Sequence, residues 1–290
     1  MIGLDELPPL REVVRAHGLE PRKSLGQNYL FDLNLVRKIA RATGPLAGVT
    51  VVEIGPGPGG LTRALLGEGA ERVVAVEADQ RFLPALEEIA AHAEGRLTVT
   101  EGDALKLDLA AVAGGGKVRV IANLPYHIAT PLIIAWLKAE PWPPWWEALA
   151  VMVQREVALR IVATPQQRAA YGRLSVLAGW RSQASLLFDV AATAFTPPPK
   201  VTSSVVRLVP RAEPLPCSVE LLERVAASAF GQRRKMLRQS LKTLTPDPLP
   251  LIEAAGLEPT SRAEEASVPA FIAMANRLAA LEARRPADSA

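Results

Sequence analysis

Four consecutive residues at the end of an apolar run have side chains suited to holding an aromatic amine. The run Val118–Ile121 leads into Asn123, Leu124, Pro125 and Tyr126. Asn123 offers a neutral side-chain carbonyl, and Pro125 favours an extended conformation that turns the Leu124 carbonyl towards a pocket. Tyr126 offers a ring face on which a base can stack, worth about 1–3 kcal/mol in comparable contacts. A stiff turn with a packed tyrosine would use the same residues, so the tetrapeptide alone leaves both interpretations open.

The chemistry that such a corner favours is methylation of the exocyclic amine of adenine. This nitrogen is a poor nucleophile because its lone pair is shared with the ring. Two acceptors aimed at its N–H bonds would hold it in line with a sulfonium methyl group and draw it towards tetrahedral geometry. Catalysis of this kind is positioning plus electrostatics, without a proton relay.

A glycine loop earlier in the chain indicates where a methyl donor would bind. The segment GPGPGG at 55–60 follows an apolar run, and Glu77 ends the next one, as in dinucleotide-binding sites. Backbone N–H groups hold a pyrophosphate in such sites, but Pro56 and Pro58 have none. A ligand with adenine and ribose but no phosphate, namely S-adenosylmethionine, therefore fits better, and Asp103 is placed to meet its adenine amine. Solvated or helix-capping acids are the alternative for both carboxylates.

The elements that must position these residues alternate between strand and helix. Apolar runs at 49–54, 72–77, 97–100, 118–121 and 148–153 predict five strands, with helical patterns between several of them. This pattern is typical of an α/β fold with a mostly parallel sheet. Two later runs, at 186–190 and 205–209, predict an antiparallel pair at its edge. Beyond the prolines of RAEPLPCS the pattern is helical, which predicts domains at 1–211 and 212–290.

Composition excludes several classes of protein. Hydrophobic residues make up 49% and charged residues 22%, which favours a packed core over disorder. Apolar runs end well before the roughly 20 residues of a membrane span, and the first residues lack a signal-peptide layout. One cysteine, Cys217, cannot form a disulfide within the chain, and three scattered histidines suggest no zinc site. We therefore expect a cytoplasmic protein that uses no metal and no membrane.

A cluster of cations in the C-terminal region is the candidate nucleic-acid surface. The net charge of +3 is only mildly basic, so contact with RNA requires a local patch. A continuous helix over 219–244 would place Arg234, Arg238 and Lys242 at intervals of four, with Lys235 beside them. The four cations would then share one face. Phosphate binding and simple solvation both account for such a face.

Taken together, the motifs resemble the ribosomal RNA adenine N6,N6-dimethyltransferases. The matching segments run in the family's order over nearly the whole chain: KSLGQNYL at 23–30, EIGPGPGGLT at 53–62, VEAD at 76–79, EGDAL at 101–105, NLPY at 123–126, FTPPPKV at 195–201 and AFGQRRKMLRQSLK at 229–242. The resemblance implies a Rossmann-like methyltransferase domain and a small helical C-terminal domain. It also implies a monomer that dimethylates two adjacent adenosines in the 3′-terminal hairpin of small-subunit rRNA. The substrate would be the immature 30S subunit, late in its assembly.

The resemblance assigns roles to individual residues. The S-adenosylmethionine site would be lined by Asn28, Leu30, Gly55, Gly57, Glu77, Asp103 and Asn123. The catalytic group would be Asn123, Leu124, Pro125 and Tyr126, with Phe195 as the second aromatic ring against the target base. RNA contacts would come from Arg234, Lys235, Arg238 and Lys242. The sequence departs from the family at Thr202, where an Asp is usual, and in the tryptophan-rich segment 140–149, which is either a packed loop or a contact surface.

Four functions remain to be separated at this point. The first is the small-subunit rRNA enzyme, and the second is an adenine methyltransferase acting on large-subunit rRNA or on DNA. The third is a ribosome assembly factor with little catalysis, against which the intact Asn123 corner argues. The fourth is a nicotinamide dehydrogenase, which is disfavoured by Pro56 and Pro58.

Overall fold

The first of two units in this chain is built on a parallel sheet. The computed structural model describes residues 7–22 and 27–283. The first unit comprises the chain up to Trp136 together with Pro144–Ala158 and Ser185–Pro210. The strands of the described residues are β1 (Tyr29–Leu30), β2 (Thr50–Ile54), β3 (Arg72–Glu77), β4 (Leu97–Glu101), β5 (Val118–Asn123), β6 (Ala148–Gln154), β7 (Ser182–Val190), β8 (Phe195–Thr196) and β9 (Ser203–Pro210).

The strand order of the large sheet creates a binding crevice. Its strands lie in the order β4-β3-β2-β5-β6-β9-β7. The first five are parallel to their neighbours, and β9 is antiparallel to β6. The order reverses at β2, because β3 and β4 lie on one side of it and β5 on the other. Ligands of open α/β sheets bind at the carboxyl ends of the strands that flank such a point, here β2 and β5. The predicted α/β fold and mostly parallel sheet are confirmed.

Apolar, largely β-branched residues form the central strands. Every residue from 51 to 54 in β2 and from 73 to 77 in β3 is buried. Strands buried on both faces require helices on both faces, which the alternating chain supplies. The helices up to residue 162 are α1 (Leu10–Ala16), α2 (Leu33–Ala40), α3 (Gly60–Gly67), α4 (Leu83–Ala91), α5 (Leu109–Ala113), α6 (Tyr126–Leu137) and α7 (Arg155–Val162).

The N-terminal arm is tied to the first unit by a cap and a small sheet. The Asp32 carboxylate accepts the backbone N–H groups of Asn34 and Leu35 at 2.8 and 3.2 Å, which caps the start of α2. Upstream of this cap, β1 pairs with β8 in an antiparallel register that places Leu30 opposite Phe195. In the segment KSLGQNYL at 23–30, residues 23–26 lie outside the described residues.

The second unit is helical. It comprises Leu137–Pro143, Leu159–Ala184 and the chain from Arg211 onward. Its later helices are α8 (Arg173–Arg181), α9 (Val219–Gly231), α10 (Leu237–Ser240), α11 (Leu249–Ala254) and α12 (Val268–Glu282). The division inferred from the sequence coincides with the start of the last segment, whereas the two earlier segments fall before residue 211. No helix among the described residues combines the length and apolar character needed to cross a membrane.

The aromatic side chains of the second unit form its packing centre. The Phe230 ring stacks on Phe271 with centroids 5.4 Å apart, and Tyr171 meets Phe230 edge-on at 5.8 Å. The buried Tyr171 hydroxyl donates to the Ala266 carbonyl at 2.9 Å. These contacts join the segment before α8 to helices α9 and α12.

The prediction of one continuous helix over 219–244 is wrong. Helix α9 ends at Gly231, and the chain runs through a turn before α10 begins at Leu237. Glycine is a poor helix former, and Met236 leaves helical geometry to form a β-bridge with Arg262. The Leu237 N–H donates to the Ser261 carbonyl at 2.8 Å, and the Leu237 side chain is buried. Tertiary pairing therefore takes the place of helical hydrogen bonds in this segment.

The tryptophan-rich segment is packed. In the second unit, the Trp142 indole N–H donates to the Arg211 carbonyl at 2.7 Å, and the Arg181 guanidinium lies 4.5 Å from its ring centre. In the first unit, Trp146 is fully buried. Of the two interpretations left open by the sequence, the structure supports local packing for Trp142 and Trp146.

Candidate functional site

A cavity of about 930 Å³ lies at the crevice between the ends of β2 and β5. Its walls come from the glycine loop, the ends of β3 and β4, the corner after β5, the arm and β8. All eleven residues predicted for the cofactor and catalytic groups line it: Asn28, Leu30, Gly55, Gly57, Glu77, Asp103, Asn123, Leu124, Pro125, Tyr126 and Phe195. The fold thus brings together residues that are up to 167 positions apart in the sequence, from Asn28 to Phe195.

The glycine loop has no N–H group free for a pyrophosphate between residues 55 and 59. Pro56 and Pro58 have no N–H. The N–H groups of Gly55 and Gly59 donate to the carbonyls of Val76 and Pro56, at 2.9 and 3.0 Å. The third, that of Gly57, donates to the Glu77 carboxylate at 3.0 Å. A phosphate group would have to displace these bonds, so the loop suits a ligand that carries none.

The first residue of the loop brings the cofactor side of the cavity against the corner after β5. Gly55 has a φ of +66°, and a Cβ there would lie 3.3 Å from Cδ of Pro125. An L-residue would be strained in this conformation and would press on the proline ring. The close approach explains why the two motifs face the same cavity.

Glu77 is the buried acid of the site. Glu77 is the last residue of β3. Its two carboxylate oxygens accept the N–H groups of Gly57 and Asp79, at 3.0 and 2.8 Å. Burial raises the pKa of Glu77, and the two N–H groups oppose this shift. Each oxygen keeps acceptor capacity, so the carboxylate suits a pair of ribose hydroxyls.

Asp103 has a structural and an exposed oxygen. Its Oδ1 accepts the N–H of Leu105 at 3.0 Å, which closes the turn after β4. Its Oδ2 lies 3.6 Å from Nζ of Lys106. The Asp103 side chain is 41% exposed. Asp103 therefore stabilises a turn as well as lining the cavity wall.

The corner after β5 presents two acceptors without internal partners. The N–H of Leu124 donates to the Met152 carbonyl at 3.2 Å, which continues the sheet pairing one residue past Asn123. The Pro125 carbonyl accepts the first N–H groups of α6. Within the described part of the chain, no donor reaches the Asn123 carboxamide or the Leu124 carbonyl. Buried or half-buried acceptors of this kind are normally satisfied, so both are available to a ligand.

Two aromatic side chains, Tyr126 and Phe195, line the cavity. Tyr126 is half-buried, and its hydroxyl shares a hydrogen bond of 2.6 Å with the Ser203 hydroxyl. Phe195 is 3% exposed and lies on β8, opposite Leu30 of the arm. Neither ring stacks on another aromatic ring of the described residues. Both rings line the cavity, so a planar group bound there would lie beside them.

Sequence reasoning missed a polar cluster that joins the arm to the cavity. Gln27 donates to Asp79 at 3.0 Å and accepts the Arg22 N–H at 2.9 Å. Arg81 donates to the same Asp79 carboxylate at 2.6 Å, which lowers the pKa of that carboxyl. The acid in VEAD and the arginine two positions later were visible signals, but only the fold shows that Gln27 meets them.

A buried carboxyl in β2 was also missed. Glu53 is 1% exposed, lines the cavity and accepts the Thr62 hydroxyl at 2.6 Å. Burial raises its pKa to about 8, against the hydrogen bond from Thr62, and the charge of Glu77 adds to the increase. A carboxyl within an otherwise apolar strand was the available sequence signal.

The raised pKa of Glu53 predicts a loss of stability with increasing pH. Between an unfolded pKa near 4.5 and the folded value of about 8, the folded state holds the extra proton. The free energy of unfolding should therefore fall as pH rises through this range, by at most about 1.4 kcal/mol per unit. The variant Glu53→Gln cannot titrate, so its stability relative to wild type should improve by up to about 3 kcal/mol between about pH 5 and 8. Urea unfolding without ligand measures this, and a pH-independent difference would contradict the assignment.

The four cations predicted to bind RNA do not line the cavity. All four are exposed in the second unit, and no ion pair involves them among the described residues. Arg234 and Lys235 lie in the turn after α9, Arg238 in α10 and Lys242 in the 3₁₀ turn that follows. The predicted spacing along one helix is therefore replaced by a turn and two short helical segments. Arg233, in contrast, lies 3.5 Å from Glu264.

No metal cluster accompanies this cavity in the described residues, which contain no group of three or more His, Cys, Asp or Glu side chains placed to hold an ion. The cavity fits S-adenosylmethionine by its own donors and acceptors. Glu77 suits the ribose, and the loop offers no phosphate site. Both observations agree with the choice of cofactor inferred from Pro56 and Pro58.

Comparisons with known proteins identify the family of this chain. A model of the ribosomal RNA adenine dimethylase family matches residues 18–280. The ribosomal RNA small subunit methyltransferase A of Methylobacterium radiotolerans is 65% identical over 273 residues, which cover 94% of each chain. The protein of that name from Xanthobacter autotrophicus is 62% identical over 282 residues, covering 97% of this chain and 98% of the relative.

Solved structures show the same fold. A dimethyladenosine transferase from Plasmodium falciparum superposes with a TM-score of 0.66 at 22% identity, over 91% of this chain and 93% of that one. The 23S rRNA methyltransferase ErmE gives a TM-score of 0.63 at 25% identity, over 87% of this chain and all of that one. The match of the family model over nearly the whole chain, together with the two relatives above 60% identity, confirms the resemblance seen in the motifs. This chain belongs to the ribosomal RNA adenine dimethylase family and is an S-adenosylmethionine-dependent methyltransferase.

Proposed function

We propose that this enzyme dimethylates the N6 amines of two adjacent adenosines in the 3′-terminal hairpin of small-subunit rRNA. The observation that carries the proposal is the pair of unpartnered acceptors at Asn123 and Leu124, which face the cavity that holds Glu77. The proteins that share 62–65% of the sequence over nearly full length are named for the small subunit, which favours this RNA over the large subunit.

The residues of the corner act on the nucleophile. Asn123 and Leu124 accept the two N–H bonds of the adenine amine, which holds the nitrogen and localises its lone pair. Tyr126 and Phe195 hold the two faces of the base. S-adenosylmethionine supplies an electrophilic methyl group: the new C–N bond forms as the C–S bond breaks, and sulfur keeps the electron pair. One proton leaves the nitrogen for solvent in each transfer, so the chain needs no strong base.

The cofactor contacts belong to the opposite side of the cavity. Glu77 holds the ribose hydroxyls, Asp103 lies where the adenine amine would reach it, and Asn28 and Leu30 of the arm cover the site. Gly55 and Gly57 allow the loop to pass close to the ligand. This division separates the groups that bind the donor from those that orient the acceptor.

The exposed cations of the second unit supply the RNA contacts in this proposal. If Arg234, Lys235, Arg238 and Lys242 meet phosphates, affinity should fall roughly 100-fold between 50 and 200 mM salt. Replacing Arg238 by Gln should lower the magnitude of the salt slope by about 0.9, because one counterion-releasing contact is lost. Filter binding of a small-subunit hairpin RNA at several salt concentrations measures both effects.

Arg224→Gln is the matched control for this prediction. Arg224 also lies in the second unit, but its guanidinium already donates to Glu282 at 2.7 Å. Its removal should leave the salt slope unchanged. Equal slopes for wild type and Arg238→Gln would remove Arg238 from the RNA footprint.

The proposed substrate implies where and when the enzyme acts. In this proposal it acts as a monomer in the cytoplasm, on the immature small subunit late in assembly. Comparison of the immature small subunit with free rRNA at equal concentration would show which one the enzyme requires.

One experiment tests the proposal as a whole. The purified protein is incubated with labelled S-adenosylmethionine and small subunits that lack the modification, and the product is mapped by mass spectrometry. We expect N6,N6-dimethyladenosine at two adjacent positions. Large subunits and adenine-containing DNA serve as competing substrates in parallel reactions.

The outcomes separate the alternatives. Label confined to large-subunit RNA or to DNA would replace the proposed substrate. Binding to small subunits with no label on any of the three would favour an assembly factor without catalysis. Label on small-subunit RNA at residues outside an adenosine pair would contradict the assigned target.

A further inference from the structure

We propose that Ser203 is a positioning residue for methyl transfer, which holds the Tyr126 ring against the target base and is required more for the second methylation than for the first. This inference rests on the proposed function, in which Tyr126 stacks on the adenine. It assigns a role to a residue that lies outside the cavity lining and is not among the site residues predicted from the motifs.

The contact between the two hydroxyls is short and protected. Tyr126 Oη lies 2.6 Å from Ser203 Oγ. Ser203 is completely buried, and Tyr126 is half-buried. Burial raises the pKa of Tyr126, and the bond to Ser203 opposes this shift, so the phenol remains protonated at neutral pH. Burial makes the loss of either partner costly, because the other hydroxyl is left unsatisfied.

Ser203 is a rigid anchor because it begins a strand inside the sheet. It pairs with Gln154 in the antiparallel ladder between β6 and β9. The residue before it is fixed too, since the Thr202 carbonyl accepts the Arg155 N–H at 3.0 Å. Tyr126 itself begins α6, just after β5, so its side chain reaches past the end of β6 to β9. This is a span of two strand spacings, or about 10 Å.

One segment of the chain thereby controls both aromatic walls of the proposed base site. Phe195 begins the segment on β8, where it is backed by the pairing with Leu30. Ser203 ends the segment, eight residues later, where it holds the hydroxyl end of Tyr126. The intervening residues include three prolines, which restrict the backbone between the two points. The segment 195–203 therefore restricts the angle between the Tyr126 and Phe195 rings.

The second transfer depends on this anchor more than the first. An unmethylated amine has two N–H bonds, and the corner offers two acceptors for them. After one transfer the nitrogen keeps a single N–H, so one acceptor no longer orients it. The ring faces then carry a larger share of the orientation, and a tilt of Tyr126 costs more in alignment. The second step has the same balance as the first: nitrogen gains a methyl carbon, sulfur keeps the electron pair, and a proton leaves for solvent.

Ser203→Ala and Tyr126→Phe each remove one side of the hydrogen bond, and the ratio of products reports the effect. Digested RNA from a time course is analysed by mass spectrometry for mono- and dimethyladenosine. We expect the first transfer to slow by roughly three-fold and the second by roughly ten-fold, within the range for loss of one buried hydrogen bond. Monomethyladenosine should accumulate in both variants. The double variant should resemble either single one, because the two changes delete the same contact.

Ser204→Ala is the matched control. Ser204 is equally buried and adjacent on β9, but its hydroxyl donates to Asp189 at 2.6 Å, away from the cavity. Its product ratio should equal that of wild type. Tyr126→Phe leaves β9 untouched, so it tests the contact even if Ser203→Ala weakens the sheet.

The outcomes distinguish this inference from the proposed function. Absence of methylated adenosine with wild-type enzyme would mean that the proposed function fails. A methylating wild type whose product ratio is unchanged in both Ser203→Ala and Tyr126→Phe would overturn the positioning role. The same shift in Ser204→Ala would also overturn it, because the effect would then come from general weakening of β9.

Discussion

Replacing Asn123 by alanine is expected to lower the rate of methyl transfer by roughly 10²- to 10³-fold, the range for loss of one preorganised group in a transition state. Asn123 is the last residue of β5, and its side chain has no hydrogen-bond partner within the described residues. Its removal therefore breaks no internal contact that the fold needs. In the proposed function, the variant loses the acceptor that holds one N–H of the adenine amine and so helps to keep the nitrogen lone pair out of conjugation with the ring. Single-turnover rates with saturating S-adenosylmethionine and unmodified small subunits measure the effect.

The same variant should bind S-adenosylmethionine with little change. Asn123 lines the shared cavity, but in the proposed function Glu77 and the glycine loop hold S-adenosylmethionine on the other side. Calorimetric titration of Asn123→Ala should give a dissociation constant within about three-fold of wild type, a difference of less than 1 kcal/mol. Unchanged turnover would show that another group is the acceptor. A loss of affinity as large as the loss of rate would make Asn123 a binding residue instead.

Replacing Glu77 by alanine is expected to weaken S-adenosylmethionine binding by about 100-fold or more. Hydrogen bonds to a charged group contribute roughly 1.5–3 kcal/mol each, and two ribose hydroxyls would lose their acceptor. The change also frees the N–H groups of Gly57 and Asp79, which the carboxylate now holds at 3.0 and 2.8 Å. The loop should therefore lose its fixed shape as well as its ligand contact. Titration calorimetry or equilibrium dialysis with the labelled donor measures the affinity.

Glutamine is not a conservative replacement at this position. Both carboxylate oxygens of Glu77 accept backbone N–H groups, so an amide would place its own N–H₂ against one of these donors. We expect Glu77→Gln to weaken binding almost as much as Glu77→Ala.

Glu101→Ala is the matched control for both variants. Glu101 ends β4 directly opposite Glu77 in the parallel register, but it is exposed and does not line the cavity. Its affinity for the donor should match wild type. If Glu101→Ala and Glu77→Ala weakened binding equally, the effect would arise from the sheet end in general and not from a ribose contact.

The cofactor loop was predictable because its chemistry is local. Pro56 and Pro58 lack N–H groups in any conformation, so the unsuitability for pyrophosphate could be read from the sequence. The structure adds that the N–H groups of Gly55, Gly57 and Gly59 are occupied, and that of Gly57 donates to Glu77, which is 20 residues away. The corner was predictable for the same reason, because Pro125 constrains Leu124 through a steric effect on its neighbour.

The basic helix was not predictable in the same way. Arg234, Arg238 and Lys242 are spaced four residues apart, which fits one face of a helix, and no proline interrupts the segment 219–244. The chain leaves the helix because Met236 and Leu237 pair with backbone groups near Ser261 and Arg262. Pairing with a residue 24 positions away leaves no periodic signal in the sequence. The cations are exposed, as expected for a solvated or phosphate-binding face, but the continuous helix predicted to carry them was wrong.

By itself, the sequence determined the alternation of strands and helices and the type of cofactor, and it predicted the acceptors that the proposed function assigns to the target amine. Each of these depends on residue type, on periodicity or on a neighbour's covalent geometry, all of which act over a few residues. Only the tertiary structure decided that Glu53 is buried beside Glu77, that Gln27 meets Asp79, and that Ser203 holds Tyr126. These contacts join side chains between 24 and 77 positions apart. They exist because parallel strands bring their carboxyl ends to one edge, where separate segments of chain share a single cavity.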